Sequence, residues 1–138
     1  MINVDESTFG QCDYRRMIWA PKHGSKGTVI KQVSPRISMI MALDNHGNVY
    51  ACLTHVNIDS TIMGIYIKQL VKELDNEDKD WRRSTIILHD GAKYCQSNIT
   101  INVLRDLRVP FMLSSPHSYN ISPIEMLFSA IKTGSLNE

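Results

Sequence analysis

Ile37-Ser38-Met39-Ile40-Met41-Ala42-Leu43, then Asp44-Asn45-His46-Gly47-Asn48, then Val49-Tyr50-Ala51-Cys52-Leu53-Thr54-His55 sets two apolar, β-leaning runs on either side of a short polar interruption. Asp, Asn and Gly dominate the interruption. They bond their own backbone and tolerate left-handed φ, so the stretch predicts a β-hairpin. Upstream, Ile2-Asn3-Val4-Asp5 reads as a short strand that starts almost at the first residue. The chain from Glu6 to about Pro35 carries Gly10, Pro21, Gly24, Gly27 and Pro35 and reads as loop, with Arg16–Trp19 as a candidate short strand.

Downstream of the hairpin the period changes. Ser60 is the expected N-cap of a helix to about Leu74, with Ile62, Tyr66 and Leu70, and Ile67, Val71 and Leu74, on one face. The acidic stretch that follows Leu74, to Asp80, reads as a solvated loop. Ser84–Leu88 is a short buried strand that ends at His89-Asp90-Gly91, a helix spans Gln96–Leu107, and Pro110–Leu113 is a last strand. After an irregular Ser114–Ile121, Ser122, Pro123 and Glu125 fit the N-cap, first and third positions of a final helix. Its buried stripe is Ile124, Leu127, Phe128 and Ile131, and Gly134 is its stop. Antiparallel neighbours can share a tight turn, whereas parallel ones need a crossover. The order therefore predicts an α/β fold, a mixed five-stranded sheet with helices on both faces, which is the ribonuclease-H-like architecture.

Length and composition are consistent with that. The 138 residues fit one domain, and the apolar and charged fractions of 43% and 21% are those of an ordinary globular chain. No apolar run approaches the roughly 18 residues of a membrane span, and the first residues lack the pattern of a signal peptide. Cys12, Cys52 and Cys95 are scattered, which predicts reduced thiols, and the five histidines lack the spacing of a zinc site. The net charge of +1 conceals an uneven distribution. Between Tyr14 and Leu43 there is no acid, yet Arg15, Arg16, Lys22, Lys26, Lys31 and Arg36 all fall there. Such a segment is either a solvated loop or a contact for DNA phosphates. Lys93 and His117, which flank acidic positions, are further candidates for DNA contact.

Asp5 and Asp90 each follow an apolar β run, so parallel neighbouring strands would deliver both carboxylates to one sheet edge. Glu125, in the first turn of the last helix, could reach the same edge. Each acid has an ordinary explanation when taken alone: a loop cap, a turn residue before Gly91, and a capping-box Glu. Taken together they make a site for a hard divalent cation, because crowded carboxylates repel until one is bound. Glu6 alternates away from Asp5 along the strand and is left out of the set, and His89 is expected to face the other side of the sheet.

Asp5-Glu6-Ser7-x-Phe9 with Arg16 and Trp19 resembles the first catalytic segment of mariner-type transposases. Leu88-His89-Asp90-Gly91-Ala92 resembles the second, and Ser118-Tyr119-Asn120-Ile121-Ser122-Pro123-Ile124-Glu125 the third. The 34 residues between Asp90 and Glu125 are similar to the spacing of the Asp-Asp-Glu branch. Gly91 stands where the family commonly has Asn, Cys95 near a common His, and Tyr119, Asn120 and Ser122 where it has Pro, Asp and Asn. The resemblance implies a ribonuclease-H-like catalytic domain with Asp5, Asp90 and Glu125 as metal-binding catalytic residues. Two Mg²⁺ or Mn²⁺ ions would serve cleavage at transposon ends and strand transfer into target DNA. It further implies DNA and a second copy of the chain as partners, no membrane, and a basic insertion that clamps. A helix-turn-helix region usually precedes this domain in the family and is expected to be absent here. The expected location is the nucleus of a eukaryote, or the cytoplasm or nucleoid of a bacterium. Two rival readings keep the fold: an inactive or domesticated remnant that binds nucleic acid or protein, and a host nuclease.

Overall fold

The computed structural model describes residues 1–9, 37–114 and 122–133. Five strands form one sheet in the order β3-β2-β1-β4-β5. They are β1 (Ile2–Phe9), β2 (Ile37–Asp44), β3 (Val49–Thr54), β4 (Ile87–His89) and β5 (Phe111–Leu113). The hairpin forms as expected, with β2 and β3 antiparallel and Gly47 at φ +91° in the connecting turn. Asp44 organises that turn: its Oδ1 accepts the backbone N–H of His46 and of Asn48, each at 2.8 Å. β1 pairs antiparallel with β2 along its whole length, Ile2 opposite Asp44 and Phe9 opposite Ile37. It pairs parallel with β4 over three residues only, ending at Val4 and His89. β4 then pairs parallel with β5.

Helices pack on both faces. The larger core joins Ile2, Val4, Ile40, Ala42 and Ile87 from the sheet to Met63, Ile67, Leu70 and Val71 of α1 (Ser60–Glu77) and Leu104 of α2 (Asn98–Asp106). On the other face, Ile124 and Phe128 of α3 (Pro123–Thr133) are buried with Met41, and Leu127 and Ile131 pack against them. The expected stripe of the last helix is thus the stripe that packs. Ser122 donates its hydroxyl to Asn3 Oδ1 at 3.0 Å, tying the start of α3 to β1.

Several boundaries move. β1 runs four residues beyond Asp5 because β2 supplies an antiparallel partner all the way to Phe9. The cap of α1 is Asp59 rather than Ser60: its Oδ1 accepts the N–H groups of Thr61 and Ile62, both at 2.9 Å. Asp75–Glu77, expected to open a solvated loop, remains helical. A tertiary anchor explains the extension. Asp75 accepts from Trp81 Nε1 at 2.8 Å and is ion-paired with the Arg82 guanidinium, which also lies 4.7 Å over the Trp81 ring. The candidate strand Arg16–Trp19 and the stop at Gly134 lie outside the described residues.

The cap assignment has a direct test. Asp59→Ala is expected to lower unfolding stability by about 1 kcal/mol. Ser60→Ala is expected to leave it within about 0.5 kcal/mol of wild type, both read by urea unfolding.

Candidate active site

The site is built where β1 outruns β4. Their last pair is Val4 with His89. Beyond that pair β1 continues with Asp5 and Glu6, while the other chain segment leaves the sheet at Asp90 and turns. The Asp90 Oδ1 accepts the Ala92 N–H at 3.1 Å, a local bond that helps turn the chain away from the strand. Asp5 and Asp90 therefore emerge side by side at one end of two adjacent parallel strands. The structure brings these two sequence-predicted acids together, in a group with Glu6: the three offer ligand oxygens all within 4.8 Å of one another.

Glu6 corrects the sequence reading, in which strand alternation sets it aside. Alternation sends the two Cβ atoms to opposite faces of β1, but it is a neighbouring strand that keeps long side chains from meeting around its edge. Here β4 has ended, so a longer Glu side chain on one face and Asp5 on the other meet in the same notch.

Glu125 lies in the first turn of α3 and is exposed. It stands outside the group of three, yet its charge contributes to raising both Asp5 and Glu6. His89 is buried, as its register opposite Val4 requires, with Nδ1 3.9 Å from the Cys95 sulfur. Burial holds its pKa down near 4, so the ring is neutral at physiological pH. Burial, with the neighbouring charge of Asp90, pushes the Cys95 thiol up. Lys93 is exposed in the turn after Asp90. Arg15, Arg16, Lys22, Lys26, Lys31, Arg36 and His117, together with 118–121 of the third motif, lie outside the described residues.

Electrostatics in the notch are unfavourable without a cation. Burial raises Asp5 to about 6 against the opposing bond from the Glu6 N–H, and the charges of Asp90 and Glu125 add to the rise. Burial raises Glu6 to about 8, and the charges of Asp90 and Asp5 add to that. Asp5 Oδ1 at least accepts the Glu6 N–H at 2.8 Å, whereas the buried Glu6 Oε2 has no hydrogen-bond partner. Among the described residues the ion pair is Arg82–Asp75, and it lies away from the trio. An all-oxygen, all-anionic donor set with an orphaned buried oxygen suits a hard divalent ion such as Mg²⁺ or Mn²⁺.

The family model described as "DDE superfamily endonuclease" matches residues 1–138. Compared by sequence with curated proteins, the chain matches none. Its solved structural neighbours include a Mos1 transposase paired-end complex with the left transposon end, at 16% identity and TM-score 0.72. A Mos1 mariner paired-end complex with Mn aligns at 15% identity and TM-score 0.73. Each alignment covers 96% of this chain and 41% of the neighbour. The catalytic domain of Mos1 mariner transposase aligns at 15% identity and TM-score 0.69, covering 99% of this chain and 60% of that one. This chain thus spans about two fifths of the longer neighbours and three fifths of the catalytic domain. The likeness establishes the fold, the ribonuclease-H-like sheet expected from the connections.

The raised carboxylates set a pH dependence. With folded pKa values above the unfolded ones, the metal-free folded state binds more protons than the unfolded state between about pH 4 and pH 8. Its stability therefore falls as pH rises through that window. Glu6→Gln, which cannot ionise, is expected to flatten most of the decline in urea-unfolding free energy between about pH 5 and pH 8.5. An unchanged slope would show that Glu6 is not the group responsible.

Proposed function

Because the chain belongs to the DDE superfamily of endonucleases, we propose that it is the catalytic domain of a cut-and-paste DNA transposase, cleaving at transposon ends and joining the 3′-hydroxyl to target DNA. The observation that carries this reading is the meeting of Asp5 and Asp90 at the end of adjacent parallel strands. α3, packed on the same face as Met41, brings Glu125 close enough for its charge to act on both Asp5 and Glu6.

Asp5, Asp90 and Glu125 are the residues that would hold two Mg²⁺ or Mn²⁺ ions. When bound, the ions supply a lowered pKa for an attacking water or hydroxyl and charge stabilisation at the leaving oxygen. The protein's own part is placement. Asp5 sits on β1, held there by its pairing with β2, and Asp90 directly follows β4, so both are placed by the ends of paired strands, and a rigid element holds ligands better than a loop. No covalent nucleophile is needed from the protein, and the nearby candidates are unsuited to be one. Cys95 is held as a thiol and His89 as a buried neutral ring.

DNA is the proposed partner, at the transposon end and at the target, with a second copy of the chain completing the active complex. Arg15, Arg16, Lys22, Lys26 and Lys31, with Lys93 and His117, are the residues proposed to meet phosphates. The neighbours that support this are Mos1 complexes with transposon-end DNA and with Mn. The proposed location follows the substrate: the nucleus in a eukaryote, the cytoplasm or nucleoid in a bacterium.

Calorimetric titration of Mn²⁺ into the metal-free protein tests the reading. Saturable binding is expected in the wild type and its loss in Asp5→Asn. A folded wild type that binds no Mn²⁺ would favour a remnant that keeps the fold without the chemistry. On the DNA side, replacing Lys22, Lys26 and Lys31 together with Gln is expected to weaken DNA binding. The slope of log affinity against log salt should become shallower by about 0.9 for each phosphate that is no longer neutralised. Unchanged slopes would return the segment to a solvated loop.

A further inference from the structure

The acids assigned by pattern are Asp5, Asp90 and Glu125, yet the acids assembled by the fold are Asp5, Asp90 and Glu6. We propose that Glu6 is a direct ligand of the divalent ion held by Asp5 and Asp90, and that these three retain the ion when Glu125 is removed. This rests on the metal site proposed above and adds a ligand to it.

Geometry is the first support. An octahedral Mg²⁺ has oxygens at about 2.1 Å, so two of its ligand atoms lie roughly 3 to 4.2 Å apart. Oxygens of Asp5, Glu6 and Asp90 within 4.8 Å of one another are therefore close to the spacing of one coordination sphere before any ion draws them in. The second support is the state of each carboxylate. Asp5 Oδ1 accepts the Glu6 N–H and Asp90 Oδ1 accepts the Ala92 N–H, which fixes both carboxylates and leaves an oxygen on each for a ligand. Glu6 is different, because its Oε2 is buried and has no hydrogen-bond partner. A buried oxygen in that condition costs free energy unless a proton or a cation occupies the space it faces. The third support is the contrast with Glu125. That side chain is exposed at the start of α3 and stands outside the close group, so its part in the first ion's coordination is dispensable.

The test is Mn²⁺ calorimetry on the DNA-free protein, comparing wild type with Glu6→Gln, Glu6→Asp and Glu125→Gln. Gln keeps the shape without the charge, and Asp keeps the charge but draws the oxygen back by one methylene. If Glu6 is a ligand, both Glu6 variants bind Mn²⁺ at least about tenfold more weakly than wild type, about 1.4 kcal/mol, while Glu125→Gln stays within about threefold. Thermal melting without metal verifies folding, and Glu6→Gln is expected to melt no lower than wild type because Gln keeps the shape of the carboxyl group and cannot ionise in the crowded notch. Glu6→Gln with wild-type affinity overturns the proposal. So does wild-type affinity in Glu6→Asp alongside a weak Glu6→Gln, since charge without reach would then suffice. A tenfold loss in Glu125→Gln overturns the second half. In all these outcomes the wild type binds Mn²⁺ and the metal site stands. Only a wild type that binds none removes the site itself.

Discussion

Parallel pairing between β1 and β4 stops at Val4 and His89, while antiparallel pairing of β1 with β2 continues five residues further to Phe9. That mismatch is the constraint on which the site depends. A strand paired on one side and open on the other keeps its backbone ordered yet exposes an edge, and Asp5 and Glu6 lie in the first open positions. Had β4 continued by two residues, its ladder would have separated the two faces of β1. The two acids would then have pointed into different environments. Ending β4 at the Asp90 turn removes the divider and supplies the third carboxylate at the same place.

Holding this edge still is the work of the two apolar clusters. Ile2 and Val4 of β1 are buried against α1 and α2, and Met41 of its partner β2 is buried against Ile124 and Phe128 of α3. The sheet beneath the notch is thus clamped from both faces, and Ser122 adds a polar tie from α3 to Asn3. Glu125 owes its position to this second face: its helix is fixed by Ile124 and Phe128, its immediate neighbour and the residue one turn on. A helix docked by a small cluster is also the part of the site with the least apolar burial behind it.

The sequence made the architecture legible because its signals were local and strong. Asp44 to Asn48 could only turn, and the stripe of Ile124, Leu127, Phe128 and Ile131 could only pack on one side. The family resemblance located Asp5 and Asp90 through flanking residues that the sheet does bring together. What escaped was non-local. The cap of α1 passed to Asp59, and its end moved to Glu77 because Asp75 binds Trp81 and Arg82, residues outside the helix. The place of Glu6 beside Asp5 and Asp90 escaped for the same kind of reason. Alternation along one strand is read from that strand, but its consequence depends on where the neighbouring strand ends.

The cluster also bears on how the protein divides its stability. Three acids in a half-buried notch are locally unfavourable, and Glu6 Oε2 without a partner is the least satisfied of them. The cost is tolerated because the backbone beneath is fixed by pairing and by cores that do not include the acids. A cation entering such a notch orders little, since Asp5 and Asp90 are already held by backbone N–H groups. Its favourable interaction with the carboxylates would be offset mainly by displaced protons and water, and not by loss of chain entropy. Preorganisation of this kind makes the same strands responsible both for crowding the carboxylates and for placing the oxygens that would receive a cation.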